Sequence, residues 1–425
     1  MTDGRDTARV AAEAAARRSY GKLIAYLSAR TRDVAAAEDA LSEAFAAALA
    51  NWPRNGVPEH PEAWLMTAAR RRSIDALRRR QTSAAAEPQL RLMAEEVEAA
   101  AGEKLPDERL GLMFACAHPA IEAGIRAPLM LQTILGFDAA TIASAFLVSP
   151  ATMGQRLVRA KNRIRQAGIP FGIPERADLG ERLGSVLEAI YTAFAEGWTD
   201  PAGTDARRRN LSDEGIWLGR LVASLLPAEP EALGLLALML FAEARRAARR
   251  GPSGDYMPLA EQDTALWDTA LIEEAETLLR GASAMGGIGR YQLEAAVQSA
   301  HVARRLTGRT DWAAIALIYE ALSTVSDSPV VTINRAVAIA ETSGAESGLA
   351  ELSRVAGDKR LGDYQPYWAA RAGLLARLGD TPAADEAYSR AIGLEPDAAV
   401  RRFLQQRRAA LAGHSPRPSN SAVER

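Results

Sequence analysis

Cysteine is nearly absent: Cys116 alone occurs in 425 residues. That excludes an internal disulfide and any zinc site built on several thiolates. Four histidines, His60, His118, His301 and His414, are scattered along the chain without metal-ligand spacing. No uninterrupted apolar run of about 18 residues occurs, so a membrane-spanning helix is not expected. Residues Met1 to Arg18 are polar and charged, without the apolar core of a secretion signal. There is no Walker loop, GxSxG or HExxH segment. Met285-Gly286-Gly287-Ile288-Gly289 is glycine-rich, but no strand pattern precedes it, and a loop between helices is its plainest reading. Cys116 closes the apolar run Leu112-Met113-Phe114-Ala115 and reads as a buried, inert thiol. These absences speak against an enzyme, a metal site, a cofactor and a membrane protein, and for a cytoplasmic chain.

What is present is ordinary for a soluble globular chain: 48% hydrophobic and 24% charged residues. At roughly 100–200 residues per domain the length suggests about three domains. The net charge of −2 conceals an asymmetry. Residues 1–165 hold 23 Lys and Arg against 19 Asp and Glu, and residues 166–425 hold 28 against 34. A basic front and an acidic back place any nucleic-acid contact in the front.

Helical periodicity runs through the whole chain, with no strand signature. Tyr20, Leu23, Ile24 and Leu27 follow i, i+3, i+4, i+7 spacing, and Leu41, Phe45, Ala48 and Leu49 form a second stripe. Asn51 to Pro61, with three prolines and a glycine, is expected to be a loop. Pro61 then opens a helix to about Arg80. Residues 81–105, poor in large apolar residues, read as a linker or loosely packed helix, as do 166–177, with two prolines and two glycines. Helices fill Leu179 to about Leu411, and the Ser/Pro/Asn-rich tail 413–425 is expected to be disordered. Near the end, Trp368, Ala384, Tyr388, Ala391 and Pro396, with a turn at Gly379-Asp380, have the spacing of a tetratricopeptide repeat (TPR). Asp311 and Ala345 occupy the place of Asp380 in two weaker copies, 34 and 35 residues apart. Unrelated helix hairpins of similar length would give a like pattern.

Three constellations carry the functional reading. In the first, Glu38-Asp39-Ala40-Leu41-Ser42-Glu43, Asp39 and Glu43 share a helical face with Glu38 beside it. Such a patch can dock a basic partner surface, although alone it reads more readily as a solvated face. The second has six arginines within residues 70–80. Arg71/Arg78 and Arg72/Arg79 stack at seven-residue spacing around Asp75, an array suited to a phosphate backbone. The ring of Trp64, just before it, reads first as core. The third runs Phe137 to Arg165. Asp138 caps a short helix, Leu147-Val148 turns, Ser149 caps and Pro150 opens a second helix. There Met153, Leu157 and Ile164 face inward, while Thr152, Gln155, Arg156, Arg159 and Arg163 form one stripe. Residues near such a helix start can read base edges, and Arg159, Lys161, Arg163 and Arg165 can meet phosphates.

In this order the three constellations resemble bacterial sigma factors of the extracytoplasmic-function (ECF) group. The segment AEDALSEAF looks like the part of sigma region 2 that docks on the polymerase β′ clamp. PEAWLMTAARRRSIDALRRR looks like the part that recognises and opens the −10 element, and FDAATIASAFLVSPATMGQRLVRAKNRIR looks like region 4, which binds the −35 element. IPFGIPERADLGERLGSVLEAIYTAFAEGW, QDTALWDTALIEEAE and GRYQLEAAVQSAH are similar to the subgroup with a long TPR-like C-terminal extension. Ser42 stands where many members have Gln, and Ala195 where the extension usually has Asn. The resemblance implies an all-α protein: sigma region 2 bundle over 10–80, linker 81–105, region 4 helix-turn-helix over 106–165, linker 166–178, and a TPR-like array over 179–412 with its clearest repeats at 292–400. It implies core RNA polymerase and promoter DNA as partners; the concave surface of a stacked helical array fits a protein or peptide partner for the extension, and the other reading is an intramolecular brace that orients or masks the two DNA-binding modules. The resemblance assigns polymerase binding to Glu38, Asp39 and Glu43. The −10 contacts fall to Trp64, Arg70, Arg71, Arg72, Arg78 and Arg79, and the −35 contacts to Thr152, Gln155, Arg156, Arg159, Lys161 and Arg163. Two other readings stay open: a TPR-bearing helix-turn-helix regulator, which binds duplex DNA without polymerase, and a TPR scaffold, which binds none.

Overall fold

A computed structural model describes residues 2–80, 107–146, 148–198 and 206–411. Among these the chain is all-α: no strand forms, and the single isolated β-bridge joins Arg250 and Tyr256. Two compact units, Met1–Leu218 and Gly219–Arg425, divide the chain.

The first unit begins with three helices, α1 (Thr2–Thr31), α2 (Val34–Asn55) and α3 (Pro61–Arg80). Arg32 breaks α1 from α2 in a left-handed conformation (φ 53°). Asp33 then caps α2, accepting a hydrogen bond from the Ala36 amide at 3.1 Å. α2 buries Val34, Ala37, Leu41, Ala44, Ala48 and Trp52 on one face. The loop expected over 51–61 is shorter. α2 runs through Pro53 because buried Trp52 anchors its last turn, and Gly56 (φ 83°) ends it.

The unit continues with α4 (Arg109–Cys116), α5 (Ala123–Leu135), α6 (Ala139–Ala145), α7 (Pro150–Gln166), α8 (Arg176–Trp198) and α9 (Ala206–Leu225), which runs on into the second unit. α1 packs on α4 and α5, which joins the two helix groups within one unit. The approach is close enough to require glycine. A Cβ on Gly21 would stand 2.3 Å from the Ile134 carbonyl oxygen, and one on Gly136 (φ +74°) would stand 3.1 Å from the Tyr20 ring. Gly21→Ala is therefore expected to destabilise this unit by about 1–3 kcal/mol through overpacking against backbone. The measurement is hydrogen exchange of the α1 and α5 amides, whose protection should fall together. The unit boundary lies at 218/219, beyond the linker expected at 166–178. The reason is that α8, with Leu183, Val186, Leu187 and Ile190 buried, packs on α4 and α5.

In the second unit α10 (Pro230–Glu243) is apolar all round, with Ala232 to Phe241 buried between α11 (Thr269–Ala284) and α12 (Arg290–Val302). The glycine-rich segment 285–289 is the loop joining those two helices. Glu231 accepts hydrogen bonds from the amides of Tyr291 and Gln292 and caps α12. After a single helical turn at Arg304–Thr307, six longer helices follow: α13 (Trp312–Val325), α14 (Pro329–Ser343), α15 (Ala345–Ser353), α16 (Gln365–Leu378), α17 (Thr381–Leu394) and α18 (Ala398–Ala410). Successive members pack on one another. Asp311 and Asp380 cap α13 and α17 through the amides of Ala314 and Ala383, while Ala345 is buried behind Gly344 (φ 91°) and caps nothing. The linker expected at 81–105 and the tail at 413–425 lie outside the described residues.

Candidate nucleic-acid interface

α2 carries the acidic face. Burial of Leu41 and Ala44 turns Asp39 and Glu43, with Ser42 between them, outward, and all three are exposed. Glu38 lies one position aside and is half-buried. Its Oε2 accepts a hydrogen bond from Lys161 Nζ at 2.5 Å, while Oε1 is buried without a hydrogen-bond partner. Burial pushes the Glu38 carboxyl above the ordinary carboxylate range, against the pull of Lys161. Asp33, at the start of the same helix, pairs with Arg165 at 3.2 Å.

α3 sits beside this face. Arg71 and Arg72 are exposed, and Arg72 reaches back to Glu43 at 3.2 Å. Arg70 does not join them, which corrects the expectation for this residue. It lies on the same side of α3 as Met66 and Ser73, is 5% exposed, and turns its guanidinium onto Tyr26 of α1, 4.6 Å above the ring centroid and donating to the hydroxyl. Trp64 is half-buried and meets Trp52 edge-on at 5.5 Å, so its indole braces α3 against the end of α2. The side chains of Arg78 and Arg79 lie outside the described residues.

α6 and α7 form a short helix, a turn and a longer helix. The Asp138 carboxylate accepts from the Thr141 amide at 2.8 Å, and the Ser149 hydroxyl from the Thr152 amide at 3.1 Å. Pro150 occupies the first turn of α7, where it gives up no hydrogen bond. Met153, Leu157, Ala160 and Ile164 are buried at helical spacing. The opposite side exposes Thr152, Gln155, Arg159 and Arg163, together with Val158, which no sequence signal singled out. Two members of the expected set are engaged elsewhere. Arg156 pairs with Glu122 at 3.0 Å, and Lys161 leaves only 10% of its side chain exposed beside Glu38. Both engagements are invisible in sequence, because Glu122 and Glu38 are 34 and 123 residues away.

Burial pushes the Cys116 thiol up to about 12, with the Thr133 hydroxyl 3.3 Å away. Burial and the nearby Arg245 and Arg304 hold His301 down at about 4, neutral at physiological pH. No group of three His, Cys, Asp or Glu that could hold a metal occurs among the described residues. No helix among them is long and apolar enough to cross a membrane.

Comparison with known proteins finds two separate family matches along the chain. Residues 15–83 match the family model of sigma-70 region 2, a span that takes in most of α1, all of α2 and all of α3. Residues 182–283 match a family of unknown function, DUF6596. An uncharacterized protein of Rhizobium meliloti is 38% identical over 393 residues, covering 91% of this chain and 92% of that protein. No solved structure matches. The acidic α2 and basic α3 thus lie inside the segment that matches sigma-70 region 2, and the chain as a whole belongs to one family with the uncharacterized Rhizobium meliloti protein.

Proposed function

We propose that the chain is an ECF-type sigma factor that binds core RNA polymerase through Asp39, Glu43 and Glu38 of α2. In this reading Arg71, Arg72, Arg78 and Arg79 of α3 meet the −10 element, with Trp64 bracing the helix, and favour strand opening. The N-terminal part of α7 enters the major groove of the −35 element with Thr152, Gln155 and Arg159, and Arg163 holds a phosphate. The chain makes and breaks no bond; polymerase does the chemistry. The C-terminal helices act as a TPR-like array whose concave side takes a protein or peptide partner and so modulates initiation.

The observation that carries the reading is the sigma-70 region 2 match over an exposed carboxylate pair on α2 that adjoins exposed arginines on α3. Support for the −35 role is the register of α7, which buries its apolar stripe and leaves a polar, cationic stripe open. The test is transcription by purified core polymerase, with and without the full chain, from a pool of random promoter sequences. Recovery of transcripts sharing −35 and −10 motifs only when the chain is present is the expected result. Duplex binding without polymerase association would instead favour a free helix-turn-helix regulator.

A further inference from the structure

Past α10 the chain runs through residues 244–268 in short 3-10 turns before α11 begins. The Asp268 amide donates to the Ala244 carbonyl at 2.8 Å and closes this segment into a strap. Two arginines meet at the strap. Arg245 is 9% exposed; its Nε donates to the Phe241 carbonyl at 3.1 Å, and its guanidinium also donates to the side-chain oxygen of Gln298 on α12. Arg304, in the helical turn after α12, donates to the carbonyls of Leu259, Ala260 and Gln262 at 2.5–3.1 Å and stands 5.3 Å over the Trp267 ring. All of these acceptors are neutral. Among the described residues neither guanidinium is paired with a carboxylate. The charges that act on Arg245 are those of Arg249 and Arg304, so positive charge faces positive charge. Burial and this same field keep His301 neutral. Like charges gathered away from water without a counter-ion are costly. Two polar atoms beside them are unsatisfied as well. The Trp267 indole N–H and the Gln262 Oε1 are buried without a hydrogen-bond partner. Gln262 Nε2 donates to the Met257 carbonyl at 3.3 Å, which leaves Oε1 as the open acceptor.

We infer that Arg245, Arg304, Trp267 and Gln262 form a binding site for inorganic hydrogen phosphate. The donor set decides the class of anion. Two guanidinium groups and an indole N–H offer donors to phosphate oxygens. Gln262 Oε1 is an acceptor and calls for an oxygen that carries a proton. Hydrogen phosphate has both kinds of oxygen at neutral pH. Sulfate has no proton to give, and a phosphate monoester is mostly the dianion there. A monocarboxylate lacks the second charge that two guanidinium groups favour. The outer edge of the strap is held to α18 by Arg402–Asp255 and Arg407–Glu261, both well exposed and therefore weak. The more covered pair Arg250–Asp397 anchors its base. The edge can thus part to admit an ion while the base stays in place. Arg245, Gln262 and Trp267 lie within the segment that matches the family of unknown function, and the inference stands apart from the sigma reading.

Hydrogen exchange of the full chain at constant ionic strength tests the site. About 10 mM phosphate is expected to raise the protection of amides in 262–268 and 298–304 roughly tenfold over chloride, the gain from a ligand at about ten times its dissociation constant. Sulfate and glycerol phosphate should give no such gain. Gln262→Glu supplies a carboxylate of the chain's own beside the arginines. It should abolish the phosphate response while keeping at least wild-type protection in chloride, which shows the variant to be folded. Trp267→Phe keeps a ring under Arg304, deletes only the N–H, and should weaken phosphate binding severalfold. Equal protection of the wild type in phosphate and chloride overturns the inference. An equal gain in sulfate or glycerol phosphate overturns the assignment of hydrogen phosphate, and a Gln262→Glu chain that still responds to phosphate puts the binding elsewhere.

Discussion

Trp52→Ala is expected to lower the protection of the α2 and α3 amides against hydrogen exchange by about two to four decades, equivalent to roughly 3–5 kcal/mol for a large aromatic removed from a core. Trp52 is 2% exposed and is among the largest fully buried side chains described. It holds the last turn of α2 inward past Pro53, and its ring meets Trp64 at the start of α3. Its removal leaves a cavity at the joint between the acidic and the basic helix and takes away the surface against which Trp64 rests. Trp52→Phe separates volume from polarity. The indole N–H is buried without a hydrogen-bond partner, so phenylalanine gives up no hydrogen bond and is expected to cost about 1 kcal/mol, the scale of a modest volume change. Equal effects of the two substitutions would mean that the indole N–H, rather than the bulk of the ring, holds the joint.

The same joint shows where sequence and structure part. Three prolines and a glycine between Asn51 and Pro61 gave the composition of a loop, and local composition carries no information about the core that Trp52 enters. The register of α7, by contrast, was legible to the residue. Its cap, its proline and its apolar period are all local, and the buried set Met153, Leu157 and Ile164 followed from them. Arg70 departs from the array because a helix turns each residue about 100° from the last, which sends Arg70 toward Tyr26 although the run of arginines reads as one patch. The Glu38–Lys161 pair and the packing of α8 on α4 and α5 depend on tertiary approach across long sequence separations, which periodicity does not report. Asp33 was within reach, since an aspartate just before an apolar-periodic run is a standard helix start.

Charge reversal of the exposed carboxylates, Asp39→Arg with Glu43→Arg, is expected to weaken binding to core polymerase about 100-fold, which corresponds to roughly 2.7 kcal/mol. Losses of this size are typical where a like charge is set against a complementary surface. The fold has little reason to change. Asp39 is exposed, and the Glu43–Arg72 pair leaves 57% and 49% of its side chains in water. An exposed pair of that kind contributes about 0–1 kcal/mol. Glu38 is deliberately kept, because changing it would also free Lys161 and mix two effects. A second variant, Glu346→Arg with Glu386→Arg on exposed positions of the second unit, changes the net charge by the same amount. Titration of labelled core polymerase at two salt concentrations then separates the cases. Loss confined to the α2 variant, and diminished at high salt by screening, identifies α2 as the docking face. Equal loss in both variants would reduce the effect to net charge. No loss in either would move polymerase binding off Asp39 and Glu43 and leave these carboxylates as a solvated face.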